Sequence, residues 1–313
     1  VLGILGEFDA LPGISQKAVP YRESANTRGG HACGHHLFGT ASTAAAIAIK
    51  SWLEETKTAG IIRFYGTPAE EGGGAKVYMA REGLFDDVDV VLHWHPGASN
   101  QVNEAAALAN ISAKFRFKGI SAHAAAAPDR GRSALDAVEA MNYMVNLMRE
   151  HVPQDARIHY VITDGGKAPN VIPDFAEVYY YSRHPRRDVV KSIFDRIVKT
   201  AEGAAQGTET EMSYEIVNGV HELLPNETLE RLVHESMTAI GGYTYTEQER
   251  EFAAQIAQSM DIELNEAIAQ QVLPYQKSQG AFGSTDVGDV SFVAPTVGFR
   301  TATWVPGTPA HSW

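Results

Sequence analysis

The sequence contains almost no cysteine and no strongly basic segment, and both shortages restrict what the protein can be. Cys33 is the only cysteine among 313 residues, so no intramolecular disulfide can form and a cytoplasmic, reducing location is expected. The formal net charge is -12 without any Lys/Arg-rich run, which argues against a nucleic-acid surface because such surfaces need clustered positive charge. The sequence also lacks an apolar run of the roughly 18 residues that span a bilayer.

The two ends of the chain lack features of a complete protein. The chain starts without methionine, inside an apolar run at residues 1–5, and it stops at Trp313 with no closing element. A basic segment followed by an apolar one, which would mark a leader, is not present. We therefore expect a piece of a longer protein, whose remaining parts could include a leader.

Apolar stretches of strand length alternate with helical stretches in the first hundred residues. Buried strands are predicted at residues 1–5, 60–65 and 88–94, and helices at residues 36–55 and 74–84. This alternation predicts the α/β fold class, with a mostly parallel sheet and helices on both faces. A helix-rich segment over residues 222–271 and a strand at 290–297 are expected to return to the same layer.

The pattern changes near residue 108. The elements predicted there are strands at 110–118, 157–163, 175–183 and 211–217, and helices at 133–150 and 189–201. Their β-α-β-β-α-β order predicts an inserted, ferredoxin-like module. The expected organisation is a catalytic domain at 1–107, the module at 108–218 and the rest of the catalytic domain at 219–313.

A loop before the first helix concentrates metal-binding side chains. Residues 29–36 (GGHACGHH) hold three histidines and the cysteine within six positions. Thiolate and imidazole together suit Zn²⁺ or a similar divalent ion. The alternative is a polar, glycine-rich loop with an incidental buried cysteine.

Two adjacent carboxylates, Glu70 and Glu71, leave a predicted strand and enter a glycine-rich turn. One can bind a metal while the other takes a proton from water. Alternatively, both could simply stabilise a helix N-terminus through its dipole.

Histidines also occur at two later loop positions. His93 and His95 are two residues apart at a predicted strand end, and His311 lies in a turn-rich segment near the end of the chain. An isolated histidine is more often structural than ligating. However, all four sets of residues follow predicted strand ends, which is where open α/β sheets bind ligands.

The order of motifs resembles a known enzyme family. The segments are FDALP (8–12), HACGH (31–35), PAEE (68–71), GISAHAA (119–125) and NVIP (170–173). Together they resemble the metallopeptidase family of aminoacylases, glutamate carboxypeptidases, hippurate hydrolases and auxin-conjugate amidohydrolases. The segments at 283–290 and 304–313 look most like the aminobenzoyl-glutamate hydrolase B-subunit branch of that family.

The resemblance implies a binuclear centre with two divalent ions per subunit, Zn²⁺ or Mn²⁺. The residues it implies as metal ligands are Cys33, His35, Glu71, His95 and His311. In the family, the ligand on this strand usually lies six residues after an acidic residue that opens the strand. Counting from Asp89 gives His95, and His93 remains the alternative. Glu7 stands where most of the family has a metal-binding histidine, which fits the subgroup with the Cys-Gly-His set.

The resemblance also implies a catalytic set and a substrate-binding set. Glu70 would be the general base, Asp9 would orient a ligand, and His123 would polarise the scissile carbonyl, often across a dimer interface. Asn170 and Arg183 would bind the substrate's carbonyl and free carboxylate. Asp286 and Asp289 could brace the site, and His31 is expected to be structural or to support a ligand.

These implications predict an amidohydrolase for N-acyl amino acids, with p-aminobenzoyl-glutamate as the leading substrate. A dipeptidase or a general deacylase of acyl amino acids is the alternative, and a non-catalytic dimerising relative is a further one. We expect a homodimer formed through the inserted module, which would also act as a lid, by pairing of an edge strand at residues 110–118. A related partner subunit is also compatible with the resemblance.

Overall fold

The computed structural model describes residues 1–102, 107–276 and 283–313, and it divides into two compact units. Among the described residues, unit 1 comprises 1–102, 223–276 and 286–313, and unit 2 comprises 107–222 and 283–285. The strands are β1 (Leu2–Glu7), β2 (Leu11–Pro12), β3 (Gly29–Gly30), β4 (Ile62–Thr67), β5 (Val90–Gly97), β6 (Ala109–Lys118), β7 (Arg157–Asp164), β8 (Phe175–His184), β9 (Glu211–Val220) and β10 (Thr296–Ala302). The helices are α1 (His35–Thr56), α2 (Ala75–Arg81), α3 (Ala134–Met148), α4 (Arg187–Thr208), α5 (Glu227–Ile240), α6 (Glu247–Ser259), α7 (Ala267–Gln270) and α8 (Val287–Ser291).

Unit 1 contains a parallel four-stranded sheet in the order β10-β5-β1-β4. The central strand β1 is apolar and almost entirely buried, as is typical of a strand covered on both faces. The mixed α/β class with a parallel sheet is therefore confirmed. Because all four strands run in the same direction, their carboxyl ends lie at one edge of the sheet.

One predicted strand of unit 1 is wrong. The segment at 290–297 is not a strand throughout, because residues up to 291 belong to helix α8 and the strand β10 starts only at Thr296. A short apolar run is compatible with either state, since its periodicity alone does not separate a buried helix from a buried strand.

Unit 2 is an antiparallel four-stranded sheet in the order β7-β8-β6-β9. Its core contains side chains from β6 and β8 and from the buried faces of α3 and α4, among them Phe115, Met141, Tyr180 and Ile197. The strand predicted at residues 110–118 exists as β6, but it pairs with β8 on one side and β9 on the other. The prediction that it is an edge strand is therefore wrong, and the edges of this sheet are β7 and β9.

No helix within the described ranges is both long enough and apolar enough to cross a lipid bilayer.

Candidate metal centre

The carboxyl edge of the unit 1 sheet gathers chemically active side chains from separate parts of the sequence. Glu7 ends β1, Glu70 and Glu71 follow β4, and His95 lies near the end of β5. His35 is the first residue of α1, where Gly34 takes a left-handed φ of 83° to turn the chain into the helix. This arrangement follows from the parallel strand order.

Five predicted ligands form two overlapping donor groups. The ligand atoms of Cys33, His35 and His95 lie within 4.8 Å of one another, and so do those of Cys33, Glu71 and His311. The Cys33 sulfur is 3.4 Å from His95 Nε2, and His311 Nε2 is 3.4 Å from Glu71 Oε1. Cys33 belongs to both groups, so its sulfur is available as a candidate ligand to either of them.

Unpartnered buried atoms at this edge fit a bound cation. Glu7 Oε2, His35 Nε2 and Glu71 Oε1 are buried and lack a hydrogen-bond partner in the described part of the chain. Buried polar atoms without a partner are rare, and a ligand that satisfies them is one physical explanation. Sulfur, imidazole nitrogen and carboxylate oxygen are together a donor set suited to Zn²⁺. The residues present therefore fit a divalent metal centre.

The histidine tautomers also favour metal binding. His35 Nδ1 donates a hydrogen bond to Asp9 Oδ1 at 2.9 Å, and His95 Nδ1 donates to the carbonyl of Pro96 at 2.7 Å. In a neutral ring, this leaves the lone pair on Nε2 of both residues. Asp9 Oδ2 also accepts a hydrogen bond from the backbone N–H of Glu71 at 3.0 Å, so one carboxylate orients two of the donors.

His93, the alternative to His95, lies elsewhere. Its ring packs against Gly298, where a β-carbon would come within 2.3 Å of it. Burial lowers the pKa of His93 to about 3, and its Nε2 has no hydrogen-bond partner among the described residues. His93 belongs to none of the donor groups found in the described ranges. The same holds for His31 and His36, whose rings lie next to each other.

A tight turn presents the pair Glu70 and Glu71. Ala69 has a left-handed φ of 59°, and its carbonyl accepts hydrogen bonds from the N–H groups of Gly73 and Gly74 at 2.8 and 2.7 Å. A β-carbon at Gly73 would lie only 2.9 Å from that of Ala69, so glycine is needed there. The turn places Glu70 in a half-buried position beside other carboxyl groups.

The environment of Glu70 suits proton transfer. Burial raises its pKa to about 8, and the nearby carboxylate of Glu7 acts in the same direction. The ligand atoms of Glu7, His35 and Glu70 form a third group within 4.8 Å. A cation in this group would favour the charged form of Glu70 and so lower its pKa again.

Sequence reasoning does not find one residue of this region. Lys76 is fully buried in α2, and its Nζ lies 2.7 Å from Glu7 Oε1 and 2.6 Å from Asp286 Oδ1. The sequence suggests Asp286 as a brace of the site but gives no partner for it. The sequence does not predict that Lys76 is buried, since a lysine in a short helix usually faces solvent.

Three predicted site residues belong to unit 2. The loop with His123 pairs with the segment containing Asn170, since Ala124 N–H donates to the Asn170 carbonyl at 3.0 Å. His123 Nδ1 accepts hydrogen bonds from the N–H groups of Ala125 and Ala126 at 3.2 and 3.1 Å. The proton of the neutral ring is therefore on Nε2, and the exposed side chain presents it as a donor.

Arg183 lies on β8 in the same unit. Its guanidinium carbon is 5.3 Å from the ring centre of Tyr181, and its Nε is buried without a hydrogen-bond partner among the described residues. Stacking on an aromatic ring restrains the guanidinium while leaving its donor edge free. The group is therefore suited to bind a planar anion such as a carboxylate.

Comparison with known proteins agrees with this chemistry. Residues 3–312 match Peptidase family M20/M25/M40. The chain is 42% identical over its whole length to the p-aminobenzoyl-glutamate hydrolase B-subunit of Escherichia coli, and 30% identical over 95% of its length to Xaa-Arg dipeptidase of Mus musculus. The alignments cover 71% and 59% of these two relatives, so the chain spans only part of their length.

A solved structure shares the fold. A dinuclear metal-binding peptidase from Bacillus subtilis superposes with a TM-score of 0.62 at 18% identity, covering 99% of this chain and 74% of the other.

Proposed function

Since this chain belongs to Peptidase family M20/M25/M40, we propose that it is a binuclear metal-dependent amidohydrolase that cleaves N-acyl amino acids. The observation that carries this proposal is the pair of donor groups that have Cys33 in common, close to the half-buried carboxyl group of Glu70. One ion would be held by Cys33, His35 and His95, and the other by Cys33, Glu71 and His311. Zn²⁺ and Mn²⁺ are the proposed ions.

The side chains divide the work of hydrolysis between them. When bound, two divalent ions would act as Lewis acids that polarise a carbonyl group and lower the pKa of water. Glu70 takes a proton from the attacking water on its carboxylate and returns it to the leaving nitrogen. Asp9 keeps His35 in the ligating tautomer. His123, through its Nε2–H, donates to the carbonyl oxygen as negative charge develops there.

The proposed substrate carries a free carboxylate next to the scissile amide. Arg183 would bind this carboxylate with its planar donor edge, and Asn170 would bind the substrate's carbonyl. The 42% identity to the p-aminobenzoyl-glutamate hydrolase B-subunit makes p-aminobenzoyl-glutamate the leading candidate, with p-aminobenzoate and glutamate as products. A dipeptidase is the second candidate, favoured by the identity to Xaa-Arg dipeptidase.

The proposed assembly is a homodimer formed through unit 2, an inserted ferredoxin-like module that would also serve as a lid. Its free sheet edges, β7 and β9, can pair with a second copy, whereas the central strand β6 cannot. The name of the first relative specifies a subunit, which supports a related partner subunit as a further component. A thiol ligand favours a reducing, cytoplasmic location.

A substrate panel tests this function. The protein, loaded with Mn²⁺ or Zn²⁺, is incubated with p-aminobenzoyl-glutamate, its α-amide-capped analogue, an N-acetyl amino acid and dipeptides ending in arginine. We expect fastest cleavage of p-aminobenzoyl-glutamate and poor cleavage of the capped analogue. Faster cleavage of the dipeptides would favour the second candidate. Two bound ions without any cleavage would indicate a non-catalytic, dimerising relative.

A further inference from the structure

Lys76 is a buried cation to which the proposed metal ligands and catalytic residues give no role. Lys76 lies on α2 and its side chain is fully buried in the protein. Its ammonium group contacts two buried carboxylates, Glu7 at 2.7 Å and Asp286 at 2.6 Å. Asp286 also accepts a hydrogen bond from the Lys76 backbone N–H at 3.0 Å, which fixes the start of the helix on the same carboxylate. Buried charges are costly unless paired, so these three groups depend on one another.

The second oxygen of Glu7 faces the metal centre. Glu7 Oε1 is held by Lys76, while Oε2 lies 3.2 Å from His35 Nε2 without forming a hydrogen bond in the described part of the chain. His35 donates its Nδ1 proton to Asp9, so the neutral ring presents a lone pair to this oxygen. When the ring is protonated, Nε2 and Oε2 form an ion pair; in the neutral, metal-binding tautomer both atoms are acceptors and repel unless a positive charge lies beside them.

The surrounding charge explains why Glu7 needs a fixed partner. The Glu7 side chain is buried, and a buried carboxylate is costly unless an opposite charge lies beside it, which the Lys76 ammonium supplies at 2.7 Å from Oε1. Glu70 places a second carboxyl group close to Glu7 and His35. Without Lys76, Glu7 would be a buried carboxylate with no opposite charge beside Oε1, and its side chain could rotate away from His35.

We propose that Lys76 is a positioning residue of the metal centre, which acts through Glu7 by holding a carboxylate oxygen beside the ligating nitrogen of His35. This inference rests on the proposed function, because it assumes that His35 binds an ion. Glu7 adds negative charge next to the group of Cys33, His35 and His95. The ion held by Glu71 and His311 involves neither Glu7 nor Lys76 in its donor group. Lys76 therefore strengthens one of the two ion sites selectively.

The test measures the affinity of each of the two ions without substrate. Zn²⁺ binding to the metal-stripped protein is followed by competition with a chromophoric chelator, for the wild type and for Glu7→Gln, Lys76→Met and the double variant. Partner groups of a metal ligand are typically worth ten- to a hundredfold in affinity, so each single variant should weaken one ion by at least about tenfold. The second ion should stay within about threefold of the wild type.

The double variant separates positioning from a general charge effect. If Lys76 acts through Glu7, the double variant should bind no more weakly than the worse single variant, because the two changes remove one interaction. Lys50→Met is the matched control, since Lys50 is an exposed lysine of α1 whose ammonium lies 3.8 Å from the exposed Glu54, and it should leave both affinities unchanged. Losses that add in the double variant, or two wild-type affinities in Glu7→Gln, would overturn the inference.

Folding is monitored in parallel by circular dichroism and thermal unfolding of the metal-free protein. If Lys76→Met does not fold, Glu7→Gln decides alone, because its amide oxygen still accepts from Lys76 while its charge is lost. A protein with the expected affinities that cleaves no substrate would refute the proposed function and leave this inference standing. A Glu7→Gln protein with full activity and unchanged affinities would refute this inference and leave the proposed function standing.

Discussion

The Cys33 sulfur lies 3.4 Å from His95 Nε2, and the same sulfur also belongs to the donor group of Glu71 and His311. Burial raises the pKa of the Cys33 thiol well above its usual value, and the Glu71 carboxylate adds to this effect. The thiol is therefore protonated when no cation is present, and ion binding must release a proton. Ion affinity should consequently rise with pH.

Replacing Cys33 should affect both ions at once. We expect Cys33→Ser to bring the metal content well below two ions per chain, because a hydroxyl is a far weaker ligand than a thiolate. His311→Ala, which changes only one donor group, should remove only one ion. Elemental analysis after gel filtration measures both. A Cys33→Ser protein that retains two ions would show that the cysteine is a core residue.

Glu70→Gln should separate catalysis from ion binding. We expect both ions to remain while kcat falls at least about a hundredfold, since general-base catalysis is typically worth 10²–10⁴. Glu71→Gln is the control and should lose an ion instead. Because bound cations lower the raised pKa of Glu70, the acidic limb of the kcat/KM profile should lie below pH 8 in the loaded enzyme. Wild-type turnover in Glu70→Gln would exclude Glu70 as the base.

A mixing experiment tests whether His123 acts in the partner subunit. Glu70→Gln and His123→Ala should each be nearly inactive alone. If His123 acts across a dimer, a mixed dimer has one intact site, and random mixing should restore about a quarter of wild-type activity. Either variant mixed with itself provides the control. No recovery after verified subunit exchange would place His123 in the same chain as the site it serves.

Arg183→Ala should reduce recognition of the substrate carboxylate. We expect kcat/KM for p-aminobenzoyl-glutamate to fall at least about tenfold, since a hydrogen bond to a charged group contributes about 1.5–3 kcal/mol. The α-amide-capped analogue should change little. The matched control is Arg157→Ala, since Arg157 pairs with Arg183 in the sheet but donates to the carbonyls of Gln154 and Ala156. Equal losses on both substrates would show a structural role.

His93 should make the metal-free protein sensitive to acid. Burial lowers its pKa to about 3, whereas an unfolded histidine has a pKa of about 6.5, so between these values only the unfolded chain binds the proton. The free energy of unfolding should therefore decrease as the pH falls through this window, by up to about 1.4 kcal/mol per pH unit. Urea unfolding at several pH values should show a shallower decrease for His93→Leu. The substitution His151→Leu, at an exposed histidine, is the control. If the free energy of unfolding of His93→Leu fell with pH as steeply as that of the wild type, His93 would not be the source of the acid sensitivity.

The sequence predicts the parts of the fold that depend on local patterns. The helix expected at residues 36–55 exists as α1, and the strand expected at 60–65 exists as β4 two residues later, because small apolar residues and bounded apolar runs are strong local signals. The position of β6 inside its sheet is not predictable in this way, because strand order depends on pairing between distant segments. The error at residues 290–297 arises because an apolar run is compatible with either helix or strand.

The geometry of the site is predictable only in outline. Parallel strand ends indicate that Glu71 and His95 lie at one edge, but no spacing indicates that Cys33 is common to two donor groups. Lys76 escapes prediction for a related reason. Its burial depends on two carboxylates that are 69 and 210 positions away in the sequence, which no local pattern reveals.

The turn that carries Glu70 also limits how this segment can vary in evolution. The β-carbon of Ala69 occupies the space that a side chain at Gly73 would need, so only one of these two positions can carry a methyl group. Gly73→Ala alone should therefore be disfavoured, whereas Gly73→Ala combined with Ala69→Gly exchanges one methyl for the other and also relieves the left-handed backbone at position 69. In a random library of this segment selected for activity, the residues at positions 69 and 73 should covary, with glycine at one or both.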